Sequence, residues 1–275
     1  MITRFAPTPS GYLHAGNAVN ALLVAWLAAA AQGRVVLRID DMDATRSRPE
    51  YIDDVFRVLH WLGVEWDSGP RDRADFDLHF SARHRREYYR AELAAGQDRG
   101  LQVYACSCSR RDMGGTIPAG GCPGECRQRH LSFSPGHTAL RVHVPRGTAV
   151  AVAEQAIALD DVVGDFVVWR RDDLPAYHLA SVVEDRNHQV THVVRGMDLL
   201  PSTAAQLFLA DYLDAPRFTS ARFIHHDLLV GPDGRKLSKS QATTGTPLPA
   251  TDAERHHLIT MATRIGKPWA IGPTG

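Results

Sequence analysis

The first forty residues place a short strand, a glycine-containing turn, a helix and a second strand in direct succession. Residues 2–6 (ITRFA) and 35–39 (VVLRI) are apolar runs typical of strands, and the apolar run 18–31 between them is typical of a helix. A strand, a crossover helix and a strand form a unit whose two strands are parallel. We therefore expect an α/β protein built on a doubly wound parallel sheet.

The helix at 18–31 has a second interpretation as a secretory signal peptide, because Arg4 precedes an apolar run that ends in small residues. The run starts late, after two prolines, and leads directly into a strand that a folded domain would place beside it. It is also too short to span a bilayer. We interpret it as a buried helix of a cytoplasmic protein with no membrane partner.

The character of the chain changes twice, which predicts an insertion. Residues 101–175 are rich in glycine, proline and cysteine and then strand-like, whereas helical and strand patterns return afterwards. We predict a Rossmann-type domain whose halves are residues 1–100 and 176–240, interrupted by an α+β subdomain at 101–175. Residues 241–275 are expected to form a short, weakly helical tail, too small for a further domain.

The charges of the chain are balanced, since Lys plus Arg and Asp plus Glu both total 31. No overall basic field would draw such a protein to nucleic acid, so any RNA contact has to be local. Only Lys236, Lys239 and Lys267 are lysines, and the other basic residues are arginines.

The turn before the first helix has the composition of an anion site. Unpaired backbone N–H groups and the helix dipole favour phosphate at such a helix start, where His14 can donate to an oxygen and Gly16 allows close approach. Asn17 follows directly, so the turn is neither a Walker A loop nor a GxGxxG fingerprint. An ordinary capped turn with a solvated His14 is the alternative.

Two of the three lysines lie three residues apart in the loop 231–240 (GPDGRKLSKS). A compact ammonium suits a moving phosphate better than a planar guanidinium does, so Lys236 and Lys239 are candidates for a clamp on nucleotide phosphates. A solvated charged loop is the alternative.

All four cysteines lie within 21 residues, as Cys106-x-Cys108 and Cys122-xxx-Cys126. Two short chelating pairs separated by a loop are typical of tetrahedral Zn²⁺, and four protein ligands would leave a structural metal with no open position. The alternatives are disulfides, which are rare in cytoplasmic proteins, and inert thiols.

With these segments placed, the chain resembles the class I aminoacyl-tRNA synthetases. LHAGN is similar to their "HIGH" signature and KLSKS to "KMSKS". RFAPTPSGYLHAGN, LRIDDMDATRSRPEYIDDVFRVLHWLGVEWD and YHLASVVEDRNHQVTHVVRGMDLLPST resemble the glutamyl-tRNA synthetase catalytic domain, so that the likeness covers about residues 1–240. The shorter paralogues of that group, the glutamyl-queuosine tRNA(Asp) synthetases, are the best match, and no anticodon-binding domain is expected.

The resemblance implies a function and a set of site residues. It implies a ligase that activates L-glutamate with ATP and Mg²⁺ as glutamyl-adenylate and transfers it to tRNA, at queuosine in the anticodon of tRNA(Asp). The implied glutamate site comprises Arg4, Thr8, Asp40, Tyr177 and Arg195. The implied ATP site comprises His14, Gly16, Asn17 and Lys239, and the catalytic set comprises His14, Asn17, Lys236 and Lys239. The family's zinc ligands correspond to Cys106, Cys108, Cys122 and Cys126, with Cys122 at the place where tyrosine and cysteine alternate.

Two glutamate-site residues depart from the family pattern. Thr8 stands where serine is usual, which is a mild change. Asp40 stands where glutamate is usual, and its carboxylate is one methylene shorter, so contact with a substrate ammonium would call for a bridging water. This departure bears on the identity of the amino acid more than on the fold.

Three other functions remain open at the level of the sequence. One is a ligase whose acceptor is a carrier protein or a small amine instead of tRNA. Another is a non-catalytic paralogue that binds RNA or senses glutamate, against which the presence of His14 and both loop lysines argues. The third is an unrelated nucleotidyltransferase on the same type of sheet, which the glutamate-site motifs disfavour. The sequence does not indicate an oligomeric state.

Overall fold

The computed structural model describes residues 1–43, 46–108, 122, 125–228 and 245–273. The strands in these ranges are β1 (Ile2–Phe5), β2 (Arg34–Leu37), β3 (Val103–Cys106), β4 (Ala139–Val142), β5 (Ala149–Val152), β6 (Gln155–Ala158), β7 (Val167–Trp169), β8 (His192–Gly196) and β9 (Arg222–His226). The α-helices there are α1 (Ala15–Ala30), α2 (Pro49–Leu62), α3 (Arg73–Asp75), α4 (Arg86–Asp98), α5 (Glu125–Gln128), α6 (Leu159–Val162), α7 (Tyr177–Asn187), α8 (Leu200–Tyr212), α9 (Pro216–Thr219) and α10 (Asp252–Gly266). Within the described ranges, no helix has both the length and the apolar character that a membrane crossing requires.

The described chain divides into two compact units. The first unit comprises the described residues of Met1–His84, Val190–Asp198 and Arg222–Gly275, and the second comprises those of Arg85–Gln189 and Leu199–Ala221. Helices and strands alternate along the chain, so the predicted α/β class is confirmed. The domain boundaries predicted near residues 100, 175 and 240 stay a prediction.

The first unit contains two parallel strand pairs, the first of which the sequence predicts. β1 pairs with β2 and β8 pairs with β9, both in parallel and in continuous register. The two pairs meet where the backbone N–H of Thr191 donates to the carbonyl of Ile2 (2.9 Å) and the Oγ1 of Thr191 accepts from the N–H of Ile2 (2.9 Å). The two pairs are separate two-stranded sheets, and the contacts between β1 and β8 place them side by side in the spatial order β2, β1, β8, β9.

This strand order has a switch point between β1 and β8. From β1 the chain passes to β2 on one side, and from β8 it passes to β9 on the other. In open parallel sheets, ligands bind outside the carboxyl ends of the strands at such a point. Arg4 and Arg195 each stand one residue before the carboxyl end of these two central strands.

The core of the first unit forms around α1, which is apolar on most of its circumference. Leu23 and Val24 are fully buried, and Leu258 and Ala262 of α10 belong to the same apolar cluster. The sequence indicates only a weak helix at α10, because histidines and threonines interrupt its apolar spacing. In the structure it is a helix of 15 residues that packs on α1.

A buried carboxylate on α2 holds the turn that leads into α1. Asp54 Oδ2 accepts the backbone N–H of Leu13 at 2.8 Å, and Asp54 Oδ1 accepts from Arg57 Nε and Nη2 at 2.9 and 2.6 Å. The residue is only 3% exposed. A buried N–H needs such a partner, so Asp54 fixes the position of the turn relative to α2.

The second unit is built on an antiparallel sheet and a group of helices. β4 lies between β3 and β7, and β5 and β6 form a separate hairpin. α7 packs against α4 and α8. Trp169 at the end of β7 and Tyr89 of α4 are among the largest fully buried side chains.

The role of Asp54 leads to a prediction about stability. We expect Asp54→Ala to lower the free energy of unfolding by about 1–3 kcal/mol, because the N–H of Leu13 would stay buried without an acceptor. Chemical denaturation monitored by circular dichroism measures this change. The matched control is Asp53→Ala, because Asp53 lies beside Asp54 on α2. This variant removes an exposed carboxylate that pairs with Arg73 of α3, and it should cost less than about 1 kcal/mol. Equal losses in the two variants would contradict the anchoring role.

Candidate active site

The start of α1 is closed by a reciprocal pair of side-chain hydrogen bonds. His14 is the N-cap residue, and its Nδ1 accepts the backbone N–H of Gly16 at 3.1 Å. Asn17 Oδ1 accepts the backbone N–H of His14 at 3.3 Å in return. These bonds satisfy N–H groups that an isolated helix start would leave open, so His14 and Asn17 form a capping box.

The cap also determines what the other edge of the imidazole can do. Because Nδ1 of His14 accepts a hydrogen bond, the neutral ring carries its proton on Nε2, which is then a donor. A Cβ atom on Gly16 would lie 2.9 Å from Cε1 of His14, so the ring occupies the space beside this glycine. The first turn of α1 holds no acidic residue that would repel an anion. His14, Gly16 and Asn17 thus come together at one helix start.

Two arginines supply fixed positive charge at the switch point of the sheet. Arg4 is 5% and Arg195 3% exposed, and the guanidinium of Arg195 lies over the Phe223 ring at 5.3 Å from its centroid. Burial, together with the positive charge of Arg195 and the neighbouring His226, lowers the pKa of His225 to about 4. His225 is therefore neutral near pH 7, chiefly because burial disfavours its charged form, and the charge of Arg195 adds to this effect.

Asp40 lies three residues after the end of β2 and is bound by a residue that the sequence analysis did not single out. Arg38 donates to it twice, from Nε to Oδ1 at 2.6 Å and from Nη2 to Oδ2 at 3.0 Å. Both residues are largely buried. The backbone N–H of Asp40 donates to the carbonyl of Pro7, next to the exposed Thr8, at 2.9 Å. The Asp40 carboxylate therefore has a cationic partner within the protein itself.

The remaining predicted site residues lie outside the described part of the first unit. Tyr177 belongs to the second unit, where it is the first residue of α7. Lys236 and Lys239 lie outside the described residues. The predicted meeting of the helix start with the lysine loop therefore stays a prediction.

The four cysteines converge in the second unit. Their Sγ atoms all lie within 4.8 Å of one another, and Cys108 Sγ is 3.8 Å from Cys122 Sγ and 3.5 Å from Cys126 Sγ. All four are free thiols. A tetrahedral centre with Zn–S bonds of about 2.3 Å requires sulfurs about 3.8 Å apart, so this donor set fits a zinc ion. The distances exceed the roughly 2.0 Å of a disulfide bond.

The electrostatics of the cluster differ from one thiol to the next. Burial raises the pKa of Cys108 well above its ordinary value. Burial also raises the pKa of Cys126, but hydrogen bonds from the backbone of Ser107 and from the other thiols outweigh this effect and lower it to about 7. Arg171 Nη2 donates to the carbonyls of Ser107 and Cys108, each at 2.7 Å, and so fixes the backbone between the first two cysteines.

The structure adds supporting residues that the sequence analysis missed. Arg38 had a detectable signal, because two residues of opposite charge two positions apart at a strand end lie on the same side of the chain. Asp54 had none, since its partner is a backbone N–H 41 residues away. Asp41 likewise lies buried against distant groups, accepting from Ser81 Oγ at 2.6 Å and from Arg83 Nε at 2.9 Å.

Comparisons with known proteins show the family to which the chain is similar. The family model described as tRNA synthetases class I (E and Q), catalytic domain, matches residues 1–90 and 124–270. Among curated proteins, the glutamyl-Q tRNA(Asp) synthetase of Symbiobacterium thermophilum is 38% identical, with 98% of this chain and 89% of the relative covered. That of Ectopseudomonas mendocina is 43% identical, with coverage of 92% and 81%.

Among solved structures, the glutamate-tRNA synthetase of Elizabethkingia anophelis is similar in fold, with a TM-score of 0.72 at 23% identity. The match covers 88% of this chain but 53% of that one, so the chain spans about half the length of this synthetase. The family match and the curated relatives extend over most of the sequence. The chain therefore belongs to the class I tRNA synthetase family, and within it to the glutamyl-Q tRNA(Asp) synthetases, which are ligases.

Proposed function

We propose that this protein activates L-glutamate with ATP to give glutamyl-adenylate and transfers the glutamyl group to queuosine in the anticodon of tRNA(Asp). The observation that carries the proposal is the pair of buried arginines, Arg4 and Arg195, at the switch point of a parallel sheet in the unit where His14 caps α1. The names of the curated relatives support the same acceptor.

The chemistry of glutamate fits the charges at this edge of the sheet. The substrate carries two carboxylates, which two guanidinium groups can hold in bidentate fashion, and one ammonium, for which Asp40 is the proposed partner. Because Arg38 already binds both carboxylate oxygens of Asp40, the ammonium would share these oxygens, directly or through a water molecule. We propose Thr8 and Tyr177 as further parts of the glutamate site.

The activation step requires positioning more than covalent participation of side chains. A carboxylate oxygen of glutamate attacks the α-phosphorus, and pyrophosphate leaves with the pair of electrons of the broken P–O bond. We propose that Nε2–H of His14 donates to a phosphate oxygen, and we assign Gly16 and Asn17 to the same ATP site. Lys236 and Lys239 are proposed to neutralise charge on the phosphates, as Mg²⁺ bound to ATP would. A hydroxyl of the acceptor then attacks the acyl carbon and releases AMP.

Zinc is the proposed resident metal, held by the four cysteines. The thiolate donor set, the separations of the sulfurs and the burial of three of the four residues fit a structural ion that takes no part in the reaction. We accordingly interpret the segment 101–175 as a zinc-bearing subdomain inserted into a Rossmann-type domain. This ion would stabilise the second unit, because metal binding and folding are coupled.

The proposed activity is tested by exchange and transfer assays. We expect ATP–pyrophosphate exchange that depends on L-glutamate and proceeds without tRNA, because the first step needs only the amino acid and ATP. We also expect charging of tRNA(Asp) that bears queuosine and no charging of the same tRNA without it. Absence of exchange with glutamate would contradict the activation step, whereas exchange without charging of either tRNA would point to another acceptor.

His14 can be tested separately as a cap and as a phosphate donor. We expect His14→Asn to keep the stability of the protein within about 0.5 kcal/mol, because asparagine is a favourable N-cap residue. The same variant should lower the rate of exchange by about 100-fold or more, since it lacks the Nε2–H donor. His14→Ala, which loses both functions, is the reference for a missing cap. Exchange at the wild-type rate in His14→Asn would limit His14 to capping.

The proposed zinc site predicts a stoichiometry and an effect of chelation. We expect about one equivalent of zinc per chain by elemental analysis of freshly purified protein. Removing it with a strong chelator should lower the midpoint of thermal unfolding, and added zinc should restore it. Less than half an equivalent, with no response to chelator, would contradict the proposal.

A further inference from the structure

A buried carboxylate lies beside the cysteine cluster and has no part in the proposed reaction. Asp165 is 6% exposed and precedes β7 in the second unit. Its Oδ2 accepts the hydroxyl of Tyr104 at 2.7 Å, and its Oδ1 accepts the backbone N–H of Val144 at 2.8 Å. Arg127 Nε lies 3.4 Å from Oδ2 and His143 Nδ1 lies 3.3 Å from Oδ1. A carboxylate with this many contacts is held in one place by the surrounding elements.

Two of these contacts lead directly to elements that carry cysteines. Tyr104 stands two residues before Cys106 on β3, and its ring packs against the cysteine cluster. Arg127 follows Cys126 on α5, a helix of four residues that is too short to be stable by itself. Asp165 therefore links β3, which carries Cys106, to α5, which carries Cys126.

A third connection passes through the backbone of the same residue. Arg141 Nη1 donates to the carbonyl of Asp165 at 2.8 Å. Arg141 is 3% exposed and stands opposite Tyr104 in the register of β3 and β4. This buried hydrogen bond fixes the backbone of Asp165 relative to the strand that pairs with β3.

We propose that Asp165, acting through Tyr104 and Arg127, is a positioning residue that holds the cysteines in their metal-binding arrangement before the metal binds. This inference rests on the proposed zinc site and concerns how tightly that site binds. The physical reason is preorganisation, because a cluster already held in place loses little conformational entropy when the ion enters. Groups that orient metal ligands in this way typically change metal affinity by about 10–100-fold.

Stability and metal affinity separate this role from a merely structural one. If Asp165 only supported the fold, its loss would lower the midpoint of thermal unfolding equally with zinc and with chelator present. If it positions the cysteines, its loss weakens zinc binding, so the difference between the two midpoints becomes smaller.

The test uses Asp165→Asn and Tyr104→Phe in the full chain, with Asp160→Asn as the matched control. Asp160 is also a carboxylate of the second unit that accepts a backbone N–H, from Gly147 at 2.8 Å, and among the described residues none of its contacts leads to a cysteine. Zinc affinity is measured by competition with a chromophoric chelator, and Co²⁺ binding is followed through its thiolate absorption bands. We expect Asp165→Asn to weaken zinc binding about 10–100-fold. Tyr104→Phe should weaken it about fivefold, as one lost hydrogen bond predicts, and Asp160→Asn should bind like the wild type.

Each other outcome has a definite meaning. Wild-type zinc affinity in Asp165→Asn, with unfolding midpoints lowered equally with zinc and with chelator, would overturn the inference and leave the zinc site in place. Wild-type protein that binds neither Zn²⁺ nor Co²⁺ would overturn the zinc site itself. If Asp165→Asn does not fold, Tyr104→Phe carries the test, and wild-type affinity in that variant contradicts the inference.

Discussion

The first unit depends on the hydrogen bonds between Thr191 and Ile2, because they join two strand pairs from residues that are 189 positions apart in sequence. The backbone and the hydroxyl of Thr191 both bind the backbone of Ile2. This contact places β8 beside β1, and it makes the carboxyl ends of these two strands neighbours. The buried charges of Arg4 and Arg195 thereby come to the same edge of the sheet, where a parallel sheet accepts ligands.

Much of this arrangement is visible in the sequence because its causes are local. The alternation of strand, turn, apolar helix and strand predicts the parallel unit from β1 to β2, and the spacing of the four cysteines predicts their convergence. The helix α10 is harder to predict from the sequence, because its stability depends on the packing of Leu258 against the distant helix α1. The lysine loop lies outside the described residues, so its place beside the helix start stays a prediction.

The contacts that sequence reasoning missed have a common origin in long-range packing. Asp54, Asp41 and Asp165 each accept hydrogen bonds from groups that lie between 21 and 61 residues away. Only the packing of helices and the register of the antiparallel strands bring these partners within reach. Buried acids of this kind hold the backbone and side chains around a site without facing a ligand. Sequence motifs therefore identify the groups that could contact a ligand, but not the residues that position those groups.

The close packing of His14 against Gly16 has a consequence for how the first turn of α1 can vary. A Cβ atom at position 16 would lie 2.9 Å from Cε1 of His14, so the imidazole would have to shift to make room for it. Because the same ring accepts the backbone N–H of residue 16, the size of that residue and the geometry of the cap depend on each other. Glycine at this position lets the cap form without such a shift.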